Sequence, residues 1–219
     1  DFLKKYEAEY KRSLEVNDQI HRATLDIVKQ YSGKPAESIQ WESWLTEIFY
    51  EEDLDGLNRY MALVRLTFVY LNYRHFDRLL DKYEYLDGLF KKGIYYSKRL
   101  LLNYYGNRVL LHTKFQEFDQ AEYYGYLSTR GKNNDYLHYI NNLAAVLLRQ
   151  GKHQEANQVM REALPEMKVS QSFFNKIGFV SFYVKSLIRT GQYKSAENYA
   201  DSFLRAYRKE IMEYRWHNF

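Results

Sequence analysis

The chain has 219 residues, of which 46% are hydrophobic and 27% charged, with a formal net charge of +4. That balance supports a packed core and argues against disorder. Two prolines and ten glycines are too few for an all-β fold with many tight turns, and the absence of Cys excludes disulfides, thiol nucleophiles and cysteine metal sites.

A Cys-free chain fits a reducing compartment, and a cytoplasmic location is expected. A bilayer span needs about 20 apolar residues. The best run here, 61–71, is broken by Arg65. The chain begins at Asp1 without Met and stops in a helical pattern, as an excerpt of a longer protein would, so a removed targeting segment stays open. Its 23 Tyr, 13 Phe and 3 Trp are read as packing between helical layers.

Residues 1–31 predict one long amphipathic helix. Leu3, Tyr6, Tyr10, Leu14, Leu25, Val28 and Tyr31 recur at three-to-four spacing, with a polar patch at Asn17 and Asp18. Ser32-Gly33-Lys34-Pro35 ends it, and Pro35 suits the first turn of the next helix. That helix, 35–50, carries Ile39, Trp41, Trp44, Leu45, Ile48 and Phe49. Residues 1–56 are read as an N-terminal helical cap, with an oligomerisation element as the alternative. Acids in 51–55 suit the N-terminus of the following helix.

Helical hairpins follow over 57–219. The spacing predicts pairs 57–73 with 76–90, 94–114 with 118–130, 135–150 with 153–167, and 170–190 with 193–214, the last helix being truncated. Ser170 and Asn134 or Asp135 are candidate N-caps, and Pro165 marks a helix end.

Aligning the turns exposes a repeat. Phe76, Phe118, His153 and Tyr193 share one position, and Leu79, Ala121, Ala156 and Ala196 stand three residues further on. The pattern is clearest at Gly191-Gln192-Tyr193-Lys194-Ser195-Ala196 and at Gly151-Lys152-His153-Gln154-Glu155-Ala156. Gly151 sits where a left-handed residue is needed, and Ala156 where two helices cross closely.

With Asn142-Leu143-Ala144 in a first helix, the chain resembles the tetratricopeptide repeat (TPR) family, loosely over 57–214 and well over 137–204. The spacings of the aligned aromatics depart from the family's regular period of about 34 residues. Leu79 replaces the expected Ala, and Gln116 the expected Gly. A generic helical-hairpin solenoid is the alternative. The resemblance implies an all-α, right-handed superhelical stack of antiparallel hairpins whose first helices line a concave face. It also implies a binding scaffold without catalysis.

The sequence has no G-x-G and no P-loop. His21, His75, His112, His138, His153 and His217 never fall within four residues of one another, so no local His-pair ligand set exists. A calcium loop with Gly56 in sixth place would need a bidentate Glu where Ala62 stands. No enzyme activity, metal or cofactor is expected.

Charge is unevenly placed. The windows 57–76, 91–116, 136–154 and 167–196 contain no Asp or Glu yet hold half of the chain's 32 Lys and Arg. Burial penalises both signs, so it explains sparse charge but not charge of one sign. Lys114, Arg149 and Arg189 each stand two residues before the turn position, and Lys185 lies one helical turn before Arg189.

The expected partner is a protein or peptide carrying carboxylates. Asn103, Lys114, His138, Asn141, Arg149, Ser181, Lys185 and Arg189 are the candidate contacts. The alternatives are single-stranded RNA and the sensor domain of a larger regulator. For RNA, Lys91, Lys92, Lys98, Arg99 and Arg108 interleave with Tyr95, Tyr96, Tyr104 and Tyr105.

Overall fold

A computed structural model describes residues 2–30, 35–94 and 97–217. These residues are all-α, with twelve helices and no strand among them. In chain order they are α1 (Phe2–Gln30), α2 (Pro35–Tyr50), α3 (Gly56–Tyr73), α4 (Phe76–Lys91), α5 (Lys98–Lys114), α6 (Phe118–Ser128), α7 (Tyr136–Arg149), α8 (His153–Glu162), α9 (Leu164–Val169), α10 (Phe173–Arg189), α11 (Tyr193–Ala206) and α12 (Arg208–His217). Tyr31, Ser32, Gly33, Lys34, Tyr95 and Tyr96, and the side chains of Leu25, Val28, Ile39 and His217, lie outside the described residues.

The chain forms two compact units, 1–107 and 108–219, dividing inside α5. In the first, α1 and α2 pack on α3, and α3 packs on α4. Helix α3 is the centre of this unit, with Met61, Leu63, Leu66 and Val69 buried. Arg65, which interrupts the apolar run, is buried as well, and its Nη1 donates to Asn103 Oδ1 at 3.4 Å. The run is thus the core of a helical layer; no described helix is long and apolar enough to cross a membrane.

The polar patch on α1 has a structural partner. Asn17 Nδ2 donates to Asn58 Oδ1 at 3.1 Å, and Ser13 Oγ donates to Asp55 Oδ2 at 2.7 Å. Asp55 caps α3 by accepting from the Asn58 N–H at 3.0 Å. A buried amide must find partners, and Asn58 Nδ2 finds Ser13 O at 2.8 Å and Asp55 Oδ2 at 2.9 Å. This network fixes the register of α1 on α3.

In the second unit α7 packs on α6, α8 and α10, and α10 packs on α8 and α11. Its main core joins Leu137, Ile140, Ala144, Met160, Phe179, Tyr183, Leu187 and Ala196.

The four aligned turns have one geometry. Arg74, Gln116, Gly151 and Gly191 have φ of 60°, 61°, 78° and 76°. After each, the next N–H closes the same six-residue ring: His75 N to Tyr70 O, Glu117 N to His112 O, Lys152 N to Leu147 O, and Gln192 N to Leu187 O, all at 2.8–2.9 Å. Leu79, Ala121, Ala156 and Ala196 are all buried five residues beyond their left-handed residues. Gly93 forms a fifth such turn, with φ 77° and Ile94 N bonded to Leu89 O.

That fifth turn corrects one boundary. Helix α5 does not begin at 94 but after Ser97, whose Oγ accepts from the Leu100 N–H at 3.1 Å. The N-cap of α10 is likewise Ser172 and not Ser170, because Ser172 Oγ accepts from the Asn175 N–H at 3.2 Å. Asp135 holds the cap position of α7 without a side-chain cap bond. The region 153–167 is two helices, since Pro165 has no N–H to offer the carbonyl four residues back. Pro165 therefore closes α8 and opens α9. Tyr207 similarly separates α11 from α12.

Candidate interaction surface

A helix turns about 100° per residue, so positions four, seven and eleven apart share a face. On α7 this groups half-buried His138, Asn142 and Ala145 with exposed Arg149, whereas Leu137, Ile140, Ala144 and Leu148 point into cores. On α10 it groups Phe174, Gly178, Ser181, Lys185 and Ile188, with Arg189 beside them. Phe174 and Ile188 are exposed apolar residues in an otherwise polar stripe.

Asn141 joins the two stripes. It is buried at the seam, and its Nδ2 donates to Asn175 O at 2.9 Å. A Cβ on Gly178 would lie only 2.9 Å from that same nitrogen, so the glycine admits the Asn141 side chain across α10. Asn141 Oδ1 is buried and has no hydrogen-bond partner among the described residues. Asn141 and Gly178 thus mark a close approach of α7 and α10.

Arg149, Ser181, Lys185 and Arg189 are exposed, His138 is half-buried, and Asn141 is buried where α7 meets α10. Ser181 Oγ donates to Ile177 O at 3.0 Å. His138 Nε2 lies 3.2 Å from Asn142 Nδ2, and burial holds the imidazole below its ordinary pKa against the pull of Asp135. Lys114, at the end of α5, is exposed and already has an interaction within the chain.

Asn103 belongs to the first unit, where it is buried; its Nδ2 donates to Arg99 O at 2.9 Å and its Oδ1 accepts from Arg65. Its amide is thus committed to packing α5 against α3. Of the aromatic residues expected to stack on a nucleic acid, Tyr104 is buried, with its hydroxyl donating to Asp87.

Five cations elsewhere in this unit have acidic partners: Lys132 with Glu166, Lys152 with Glu122, Lys194 with Glu197, Arg205 with Asp201, and Lys209 with Glu213. Arg149, Lys185 and Arg189 are exposed and make no ion pair or hydrogen bond among the described residues. Arg149 and Arg189 also stand in the last turns of α7 and α10, where the helix end favours cations.

Sequence reasoning missed Phe174, Asn142 and Ile188. Phe174 lies seven residues before Ser181 and Ile188 three after Lys185, so the helical spacing of the predicted contacts was a sufficient signal. No family model matches this chain, and neither the curated proteins nor the solved structures contain a match to it.

Proposed function

We propose that this protein is a non-catalytic, TPR-like interaction scaffold, a right-handed stack of antiparallel helix hairpins. The repeated left-handed turns, each followed by a buried Leu or Ala, support that architecture. Its function is to hold an acidic peptide or an acidic partner surface on the α7–α10 face.

The observation that carries this reading is the set of cations Arg149, Lys185 and Arg189, without an ionic partner among the described residues, on helices devoid of Asp and Glu. With no carboxylate on α7 or α10 to cancel them, their fields add over the stripe and steer an anionic partner. Phe174 and Ile188 offer apolar contacts beside the charge, and Asn142 and Ser181 offer polar ones. The buried ring of Tyr104 weighs against the single-stranded RNA reading, which needs exposed rings.

The test is a titration of the chain with an acidic peptide library and with single-stranded RNA at two salt concentrations. Arg149→Glu with Arg189→Glu should weaken peptide binding about tenfold or more at low salt, since each reversal both removes an attraction and adds a repulsion. Lys209→Glu on α12 should change it little. Equal binding by the double reversal and the control would refute the basic face as the site. A mutation-sensitive response to RNA alone would replace the peptide with a nucleic acid.

A further inference from the structure

Helix α1 buries Val16, Ile20 and Ala23 against the rest of the first unit, whereas residues 2–12 are exposed on every side. Leu3, Tyr6, Tyr10 and Leu14 are 72%, 60%, 59% and 54% exposed. Those four fall at spacings of three, four and four, so they form one continuous apolar stripe over three turns. Isolated exposed apolar residues are ordinary, but a regular stripe is a seam for another helix.

The charges beside the stripe select the occupant. Glu7 borders it on one side and has no ionic partner among the described residues. Lys11 lies on the same border one turn on, 4.0 Å from Glu15 at an exposed position where pairing contributes little. If a second α1 lies antiparallel on the first, Leu3 faces the second copy's Leu14 and Tyr6 faces the second copy's Tyr10. Glu7 then faces the second copy's Lys11. Twofold symmetry repeats each of these contacts, so a single stripe supplies both sides of the seam. A parallel pair would instead place the two copies' Glu7 on opposite borders of the seam, where neither meets a Lys11.

We propose that the exposed stripe of α1 pairs two copies of this chain, antiparallel, through Leu3, Tyr6, Tyr10 and Leu14 with Glu7–Lys11 contacts at its border. Three turns of helix bury less than the roughly 1,200 Å² of a standard stable interface, so the dimer is weak and concentration-dependent, with a dissociation constant on the order of micromolar or above.

Sedimentation velocity on the full chain should show mass rising from monomer towards dimer with concentration. Tyr6→Glu with Tyr10→Glu should leave a monomer of unchanged helicity. Glu7→Lys should weaken the dimer about tenfold, and adding Lys11→Glu should restore it, because the exchanged pair still attracts.

The Cys-free chain allows a direct test of direction. Leu3→Cys and Leu14→Cys variants, mixed and mildly oxidised, should crosslink as the heterodimer. Each alone should not, since like positions stand about 16 Å apart in the antiparallel pair, beyond disulfide reach. A wild-type monomer at every concentration overturns the proposal. So does crosslinking of Leu3→Cys with itself, or failure of the charge exchange to restore pairing.

Discussion

Replacing the turn residues of the second unit isolates a backbone effect from packing. Gly151 and Gly191 have φ of 78° and 76°, and a Cβ added at either would meet nothing within 4 Å. Gly151→Ala and Gly191→Ala therefore create no clash; they force an L-residue into the left-handed region. That conformation costs roughly 1–2 kcal/mol, while stiffening of the unfolded chain offsets roughly 0.4–1 kcal/mol of it. A net loss of about 1 kcal/mol per site remains. Gln116 supplies the mirror experiment. It already has φ 61°, its side chain is exposed, and it belongs to the same unit. Gln116→Gly should relieve the strain and raise stability by a similar amount, about 0.5–1 kcal/mol. Urea unfolding followed by circular dichroism would resolve a shift of that size in the midpoint. The opposite signs are the essential result. Neutral Gly→Ala variants together with a destabilising Gln116→Gly would refute the common turn geometry.

Ala156 and Ala196 are buried at helix crossings, so Ala156→Leu and Ala196→Leu should each overpack the second unit and lower its stability by about 1–3 kcal/mol in the same unfolding assay. Asp55 offers a pH test. Partial burial pushes its carboxyl up, but the bonds from the Asn58 N–H, the Ser13 hydroxyl and the Asn58 amide outweigh this and hold it below 3.8. A depressed carboxylate contributes stability that is present above the unfolded value and lost as pH falls through the folded one. Asp55→Asn, still a competent N-cap, should therefore be less stable than the native chain at about pH 7, and the gap should close as pH falls below 3.8 through the lower folded value.

The sequence by itself determined the helices and the turns between them, because both arise from local chemistry. Apolar spacing fixed the helical stretches over most of their length. The Gly–aromatic–Ala pattern located the left-handed turns even where Arg74 and Gln116 replace glycine. Boundaries were less legible where two caps compete: Ser170 and Ser172 are equivalent in composition, and only the bond to Asn175 separates them.

The tertiary structure decided which polar groups remain available. Asn103 and Asn141 look alike in sequence, as amides on first helices, yet both are buried on seams that no local pattern encodes, Asn141 with only its Nδ2 bonded among the described residues. Tyr104 and Tyr105 adjoin in the chain, but only the first is buried, against Tyr83 and Phe90 of α4. That Arg149, Lys185 and Arg189 have no ionic partner among the described residues is equally non-local. Single-sign charge on these helices is written in the sequence, but a charge is unpaired only if every element packed nearby fails to bring an acid to it. That depends on which faces meet, and side-chain spacing along one helix cannot specify its neighbour's.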